Sequence, residues 1–245
     1  MATVILVRHG RTTANASGVL AGRLAGVKLD DTGQAQVTKS GERLAGVPLA
    51  MVASSPLERC RQTSRALLAA HPSPPALSIE RGVTECDYGE WQGRPLRELA
   101  KEKLWATVQS QPSAVLFPGG ESMSGMQNRA VGAVRRLDAR LDAEHGPGAV
   151  GVVVSHGDII KSILADALGM HLDLFQRLQV DPASISIIRY TGTRPYVLAS
   201  NTHAGDLSWL TPARPKRGGR RKKATAHAGD DAAVGGGSGP VALQP

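Results

Sequence analysis

Arg8 and His9 stand together in "TVILVRHGRT", Arg59 lies in "SSPLERCRQT", and His156 lies in "GVVVSHGD". A neutral imidazole can act as a nucleophile or a proton carrier. A guanidinium presents a planar fork of N–H donors that matches the oxygens of a phosphoryl group. Brought into one cleft, these four side chains would make a strongly positive site suited to a phosphorylated ligand. A lone histidine at a strand end is by default a hydrogen-bonded packing residue, and His71, His145, His171, His203 and His227 carry no assignment for that reason. Arg8 and His9 are set apart by their pairing, and His156 by repeating the pattern at an equivalent strand end.

A metal centre would need other residues. No H-E-x-x-H occurs, and no close cluster of Asp and His surrounds these histidines. Mg-dependent phosphoryl chemistry would place carboxylates at the strand ends, where this chain has arginines. No metal and no other cofactor is therefore expected. G-x-S-x-G is missing, since "GGESMSG" has the wrong spacing, and so is a G-x-x-x-x-G-K-[ST] phosphate loop. Cys60 and Cys86 form no C-x-x-C and read as packing residues.

A sheet must position the four side chains. "TVILV", "LAMVA" and "GVVVS" are short continuous apolar runs, the pattern of strands buried on both faces of a parallel sheet. Each runs directly into one of the polar segments. In an open α/β sheet ligands sit beyond the carboxyl ends of the strands, so neighbouring strands would bring these ends together. Helices are predicted over 33–46, over 57–70 behind Pro56, over 122–145, and over 158–168. Asp158 would cap the last of these and Gly169 would end it. "SISIIRY" and "PYVLAS" predict a hairpin turning at "TGTR". Alternating strands and helices argue for an α/β layered domain.

The 245 residues admit one large domain or two small ones. An aromatic content of 3% argues against a platform for stacking bases. The net charge of +8 suggests an anionic partner until it is located along the chain. Beyond Leu210 lie seven Lys/Arg and two Asp, a net +5, which leaves +3 on residues 1–210. That segment, Pro/Gly/Lys/Arg-rich and then Gly/Ala/Ser-rich, cannot build a core and is expected to be a disordered tail. Contact of the tail with nucleic acid or an anionic surface competes with a solubilising tail that has no partner. The second is favoured, because the tail holds no fold motif and no interleaved aromatics. Two cysteines and no secretory signal suggest a reduced cytoplasmic protein, and no apolar run reaches the roughly 18 residues of a membrane span.

The segments "LVRHGRTTAN", "SSPLERCRQTS", "TECDYGEWQGRP", "PGGES" and "VVVSHGDII", in that order, resemble the histidine phosphatase superfamily in its phosphoglycerate-mutase-like branch. The likeness runs from about Thr3 to Leu210. It implies a three-layer α/β/α sandwich with a mostly parallel central sheet over residues 1–210, with a short cap at about 88–126 and residues 211–245 outside it. It implies that His9 is the nucleophile, taking the phosphoryl group as a phosphohistidine, and that Arg8, Arg59 and His156 bind the phosphoryl oxygens. Glu85 stands where the family has its proton donor. A solvated loop carboxylate is the plain alternative, and the "YGEWQG" after Glu85 favours the catalytic role. Asn15 and the Gly157 backbone are further candidates for phosphate contacts. Ser54 and Ser55 are expected to shape the turn, and Asn201 and His203 to be structural. The family has Glu after R-H-G where this chain has Arg11, so a charge is added near the cleft.

The resemblance leaves the reaction to be chosen. Mutases of this family carry a long insertion after the proton donor. Here 35 residues separate Glu85 from Glu121, which favours water as the acceptor and a phosphomonoesterase acting on a small phosphorylated substrate. A phosphomutase is the alternative, and a non-catalytic phosphate-ligand-binding protein on the same fold is a third reading. Trp91, Trp105 and Phe117 either line the substrate pocket or pack in the core. A homo-oligomer stays open. The tail is expected to lie beyond every element of the site, so its removal should leave turnover unchanged.

Overall fold

The computed structural model describes residues 2–203 and Gly235. Its strands are β1 (Thr3–Arg8), β2 (Leu49–Ser54), β3 (Leu77–Ile79), β4 (Val150–Ser155), β5 (Ile185–Tyr190) and β6 (Pro195–Thr202). They form one six-stranded sheet in the order β3-β2-β4-β1-β5-β6. β3, β2, β4 and β1 are parallel, and β5 and β6 run antiparallel to their neighbours. The helices are α1 (Thr13–Ser17), α2 (Asp31–Leu44), α3 (Glu58–Ala69), α4 (Leu96–Leu99), α5 (Lys103–Ser110), α6 (Met123–His145) and α7 (Gly157–Ala167).

The apolar runs of the sequence are explained by two cores. On β1, Val4 and Leu6 join one core while Ile5 and Val7 join the other. A strand buried on both faces has no polar face to alternate with. The first core is filled by α6 and α7, and the second by Leu44 of α2 and by Cys60 and Leu67 of α3. The result is the expected three-layer α/β/α arrangement.

Most predicted elements form close to their predicted bounds. Ser122 caps α6 by accepting from the Gly125 N–H, and Gly169 follows α7 with φ at +68°. One expectation is corrected. His156, not Asp158, occupies the N-cap position of α7, and Asp158 is the second residue of that helix with its side chain fully buried. The helix begins directly at the end of β4, so no exposed capping residue intervenes. β3 went unpredicted because three residues at a sheet edge are too few to show a period. Trp91 and Phe117 are buried in the first core, Phe117 edge-on to Tyr88 and Trp91, and Trp91 stacked on the partly buried Trp105, so these side chains pack in the core. The expected disordered tail, 211–245, lies outside the described residues apart from Gly235.

Candidate active site

Strand register places the site. β1 and β4 are neighbours with Arg8 opposite Ser155, so the residues that follow, His9 and His156, emerge side by side. Their ring centroids are 5.3 Å apart. On the other side of β4, Ser54 of β2 lies opposite Val154, which delivers Ser55 and then Arg59 of α3 to the same edge. Gly10 follows His9 because nothing larger fits. A Cβ there would lie 2.6 Å from the Gly33 carbonyl oxygen, where α2 crosses the end of β1.

His9 Nδ1 lies 2.8 Å from the Gly10 carbonyl oxygen, and Arg59 Nε donates to His9 Nε2 at 3.2 Å. The carbonyl can only accept, so Nδ1 carries the proton and Nε2 the lone pair. Arg59 Nη2 also donates to the Gly22 carbonyl at 2.7 Å, and Arg8 Nη1 donates to the Val180 carbonyl at 2.8 Å. All four side chains are buried, none above 3% exposure. Burial, reinforced by the charge of Arg59 and then other cationic neighbours, holds both imidazoles well below the usual histidine value, so they are neutral at pH 7. Burial lowers Arg8 to about 10, which leaves it charged. A neutral imidazole whose Nε2 lone pair accepts from Arg59 can attack an electrophile once Arg59 turns to hold that electrophile's oxygens.

Glu85 is buried beside His156, with Oε2 3.8 Å from His156 Nδ1. Its Oε1 accepts the Cys86 N–H at 2.9 Å. Burial, and after it the charge of Asp158, pushes Glu85 up to about 7, so at neutral pH it can carry a proton to give. His156 Nε2 meets Ser55 Oγ at 2.7 Å. Cys60 packs against the same ring, and burial pushes its thiol up to about 12, which leaves it unreactive.

The backbone that carries Glu85 is held from two sides. Its carbonyl oxygen accepts from Arg23 Nε at 2.8 Å and from Arg129 Nη2 at 3.0 Å. Both guanidiniums are bound by Glu121, whose Oε1 also accepts the Asp87 N–H. Glu121 belongs to the "PGGES" segment, and its position follows from this clamp.

The remaining candidates take varied places. Asn15 Oδ1 accepts from the backbone and hydroxyl of Thr12, in a capping box that starts α1. Gly157 is the buried first residue of α7, directly after His156. Arg11 is paired with Asp30 at 2.9 Å, so its extra charge is offset locally. Asn201 and His203 both bind Asp181 Oδ2, at 2.8 and 3.0 Å, and fasten the segment whose Val180 carbonyl orients Arg8. Asp158 Oδ2 accepts from the Tyr88 hydroxyl at 2.7 Å and from the Gly235 N–H at 2.9 Å. Sequence reasoning missed the contacts of Ser55, Arg23, Arg129 and Asp158. Adjacency to "SHG" was a usable signal for Asp158, and Arg23 and Arg129 had none. Among the described residues, no group of three or more His, Cys, Asp or Glu is arranged to hold a metal ion, and no helix is long and apolar enough to cross a membrane.

The model of the histidine phosphatase superfamily (branch 1) matches residues 4–203. Phosphoserine phosphatase 1 of Hydrogenobacter thermophilus is 30% identical over 214 residues, which span 84% of this chain and 96% of that protein. The 2,3-bisphosphoglycerate-dependent phosphoglycerate mutase 2 of Gloeobacter violaceus is 31% identical over 76% of this chain and 82% of its own. Among solved structures, the phosphoserine phosphatase of Entamoeba histolytica in complex with 3-phosphoglyceric acid matches with a TM-score of 0.73. It covers 83% of this chain and 98% of its own at 21% identity, a likeness of fold alone.

Proposed function

The chain belongs to the histidine phosphatase superfamily, and from that premise we propose that its site hydrolyses small phosphomonoesters through a phosphohistidine on His9. The observation that carries this reading is the fixed tautomer of His9, whose Nε2 lone pair sits against Arg59 in a buried site that also holds Arg8. In the first step Nε2 attacks phosphorus and the bond to the leaving oxygen breaks. Glu85 gives its proton to that oxygen, so the product departs as an alcohol. Arg8, Arg59 and His156 hold the phosphoryl oxygens as charge spreads over them. In the second step the Glu85 carboxylate takes a proton from water, the water oxygen attacks phosphorus, the N–P bond breaks, and inorganic phosphate leaves.

The acceptor in the second step separates hydrolysis from transfer. The Gloeobacter relative supports a mutase reading. The short stretch between Glu85 and Glu121 supports water, because the aromatic side chains there fill the core. The test is a panel of phosphomonoesters alongside a phosphoglycerate mutase assay. Release of inorganic phosphate without isomerisation is the expected result.

Charge at the phosphoryl oxygens comes from arginines in this proposal. Turnover of an aryl phosphate is therefore expected to survive excess chelator, and vanadate, which takes on a five-coordinate geometry, should inhibit it. Loss of turnover in chelator with recovery on adding Mg would overturn the site assignment.

The clamp on the Glu85 backbone makes a separate prediction. Arg129→Met removes the donors to the carbonyl oxygens of Gly82, Thr84 and Glu85. It should slow alkyl phosphates more than aryl phosphates, since only the former depend on a placed proton donor. The ratio of the two kcat/KM values in wild type and variant measures this.

A further inference from the structure

We propose that Ser55 is a positioning residue for the reaction, its hydroxyl fixing the tautomer and orientation of His156 so that Nδ1–H is the donor this ring offers to a phosphoryl oxygen. This inference rests on the phosphoryl-binding role proposed for His156. Burial keeps that imidazole neutral, so it has one N–H and one lone pair. With the proton on the wrong nitrogen, the ring would turn a lone pair toward the phosphoryl oxygen and repel it. A neighbouring group must therefore select the nitrogen that carries the proton.

Ser55 Oγ lies 2.7 Å from His156 Nε2, and both side chains are fully buried. The same oxygen accepts the Leu57 N–H at 3.4 Å. Among the described residues the Ser55 hydroxyl hydrogen has no other nitrogen or oxygen acceptor, so it goes to Nε2. The opposite arrangement would bury that hydrogen unpaired. Nε2 thus holds the lone pair and Nδ1 the proton. The Cys60 thiol lies 3.5 Å from Nε2 but donates to the Ser155 carbonyl, also at 3.5 Å, so it does not compete with Ser55 as a donor. Nδ1 has Glu85 Oε2 and Cys60 Sγ at 3.8 Å each. The first is beyond hydrogen-bond length and the second is a weak acceptor. That N–H is left for a ligand, on the edge of the ring that faces the proton donor.

The fold holds the hydroxyl in place. Ser55 directly follows β2, and its N–H donates to the Val154 carbonyl of β4 at 3.0 Å. The strand pairing that brings His156 to the site therefore also sets Ser55 beside it. The two imidazoles of the site share a tautomer and present opposite nitrogens. His9 spends its Nδ1–H on the Gly10 carbonyl and keeps Nε2 for attack, whereas His156 spends Nε2 on Ser55 and keeps Nδ1–H for binding. Ser55 shapes its turn through Leu57, as expected from the sequence, and carries this second task with the same oxygen.

The test compares the full chain with its Ser55→Ala and Ser55→Thr variants. Heteronuclear NMR spectra of the imidazole nitrogens read the tautomer directly and need no turnover, with His156 assigned by the loss of its signals in His156→Ala. Wild type should show the Nδ1–H form of His156. Ser55→Ala should shift the population toward the Nε2–H form, and Ser55→Thr, which keeps the hydroxyl, should return it. Inorganic phosphate should inhibit Ser55→Ala about ten-fold more weakly, the scale of one hydrogen bond to a charged group, with recovery in Ser55→Thr. Because Ser55 acts through His156, Ser55→Ala should add no further loss of phosphate binding in a His156→Ala background. The wild-type spectrum decides by itself if a variant misfolds. An Nε2–H form in wild type, an unchanged tautomer in Ser55→Ala, or a further loss in the double variant would each overturn the proposal. A wild type that has the Nδ1–H form yet neither hydrolyses aryl phosphate nor binds phosphate would instead refute the phosphatase reading.

Discussion

His9→Ala is expected to lower turnover by roughly 10⁴-fold or more, the scale on which removing a nucleophile acts. No neighbouring group is placed to replace it. His156 is the other imidazole of the site, but its Nε2 is engaged by Ser55 Oγ and its Nδ1 faces Glu85. The Cys60 thiol is held protonated by burial. The variant should still bind vanadate or phosphate, because Arg8 and Arg59 keep their carbonyl partners Val180 and Gly22. Retained binding distinguishes a missing nucleophile from a damaged fold. Rapidly quenched wild-type enzyme should carry an acid-labile, base-stable phosphoryl group on His9, and the variant should carry none. A label on another residue would end the proposed mechanism.

The parts of this site that were legible in the sequence share one physical cause. A strand buried on both faces cannot alternate polar and apolar residues, so "TVILV" and "GVVVS" stand out as continuous runs, and whatever follows them lies at a strand end. Arg8, His9 and His156 were found that way, and register then brought the two histidines together. Arg59 was reached in the same way, through the segment that follows "LAMVA", while Glu85 needed the family resemblance, since a glutamate in a loop looks like an ordinary solvated residue. The clamp stayed hidden because Arg23 reaches Glu85 and Glu121 from far away in the chain, and because Arg129, eight residues after Glu121, looks like an ordinary charged residue of a long helix. Asp158 was misread because "HGD" ahead of a helix looks like a cap. Burial against Tyr88 gives it a different place.

Glu85→Gln should separate leaving groups and not merely slow the enzyme. The glutamine keeps the shape of the side chain and leaves His9, Arg8, Arg59 and His156 in place, so phosphorylation of His9 remains available whenever the leaving oxygen can depart without a proton. An aryl oxide can do so, and an alkoxide cannot. Loss on alkyl phosphates should reach about 10²–10⁴-fold, the range of general acid catalysis, with a much smaller loss on aryl phosphates. The pH dependence follows from the two groups. His9 is active when neutral, and burial with the arginines keeps its pKa well below the usual value, so the acid limb lies below that value. Glu85 is active when protonated, and burial places its pKa at about 7, so kcat/KM for alkyl phosphates should fall as pH rises through about 7. In Glu85→Gln that alkaline limb should vanish while the acid limb stays. The decisive measurement is a pair of pH profiles on one alkyl and one aryl substrate. Equal losses on both, or an alkaline limb that survives the substitution, would assign the proton to another group.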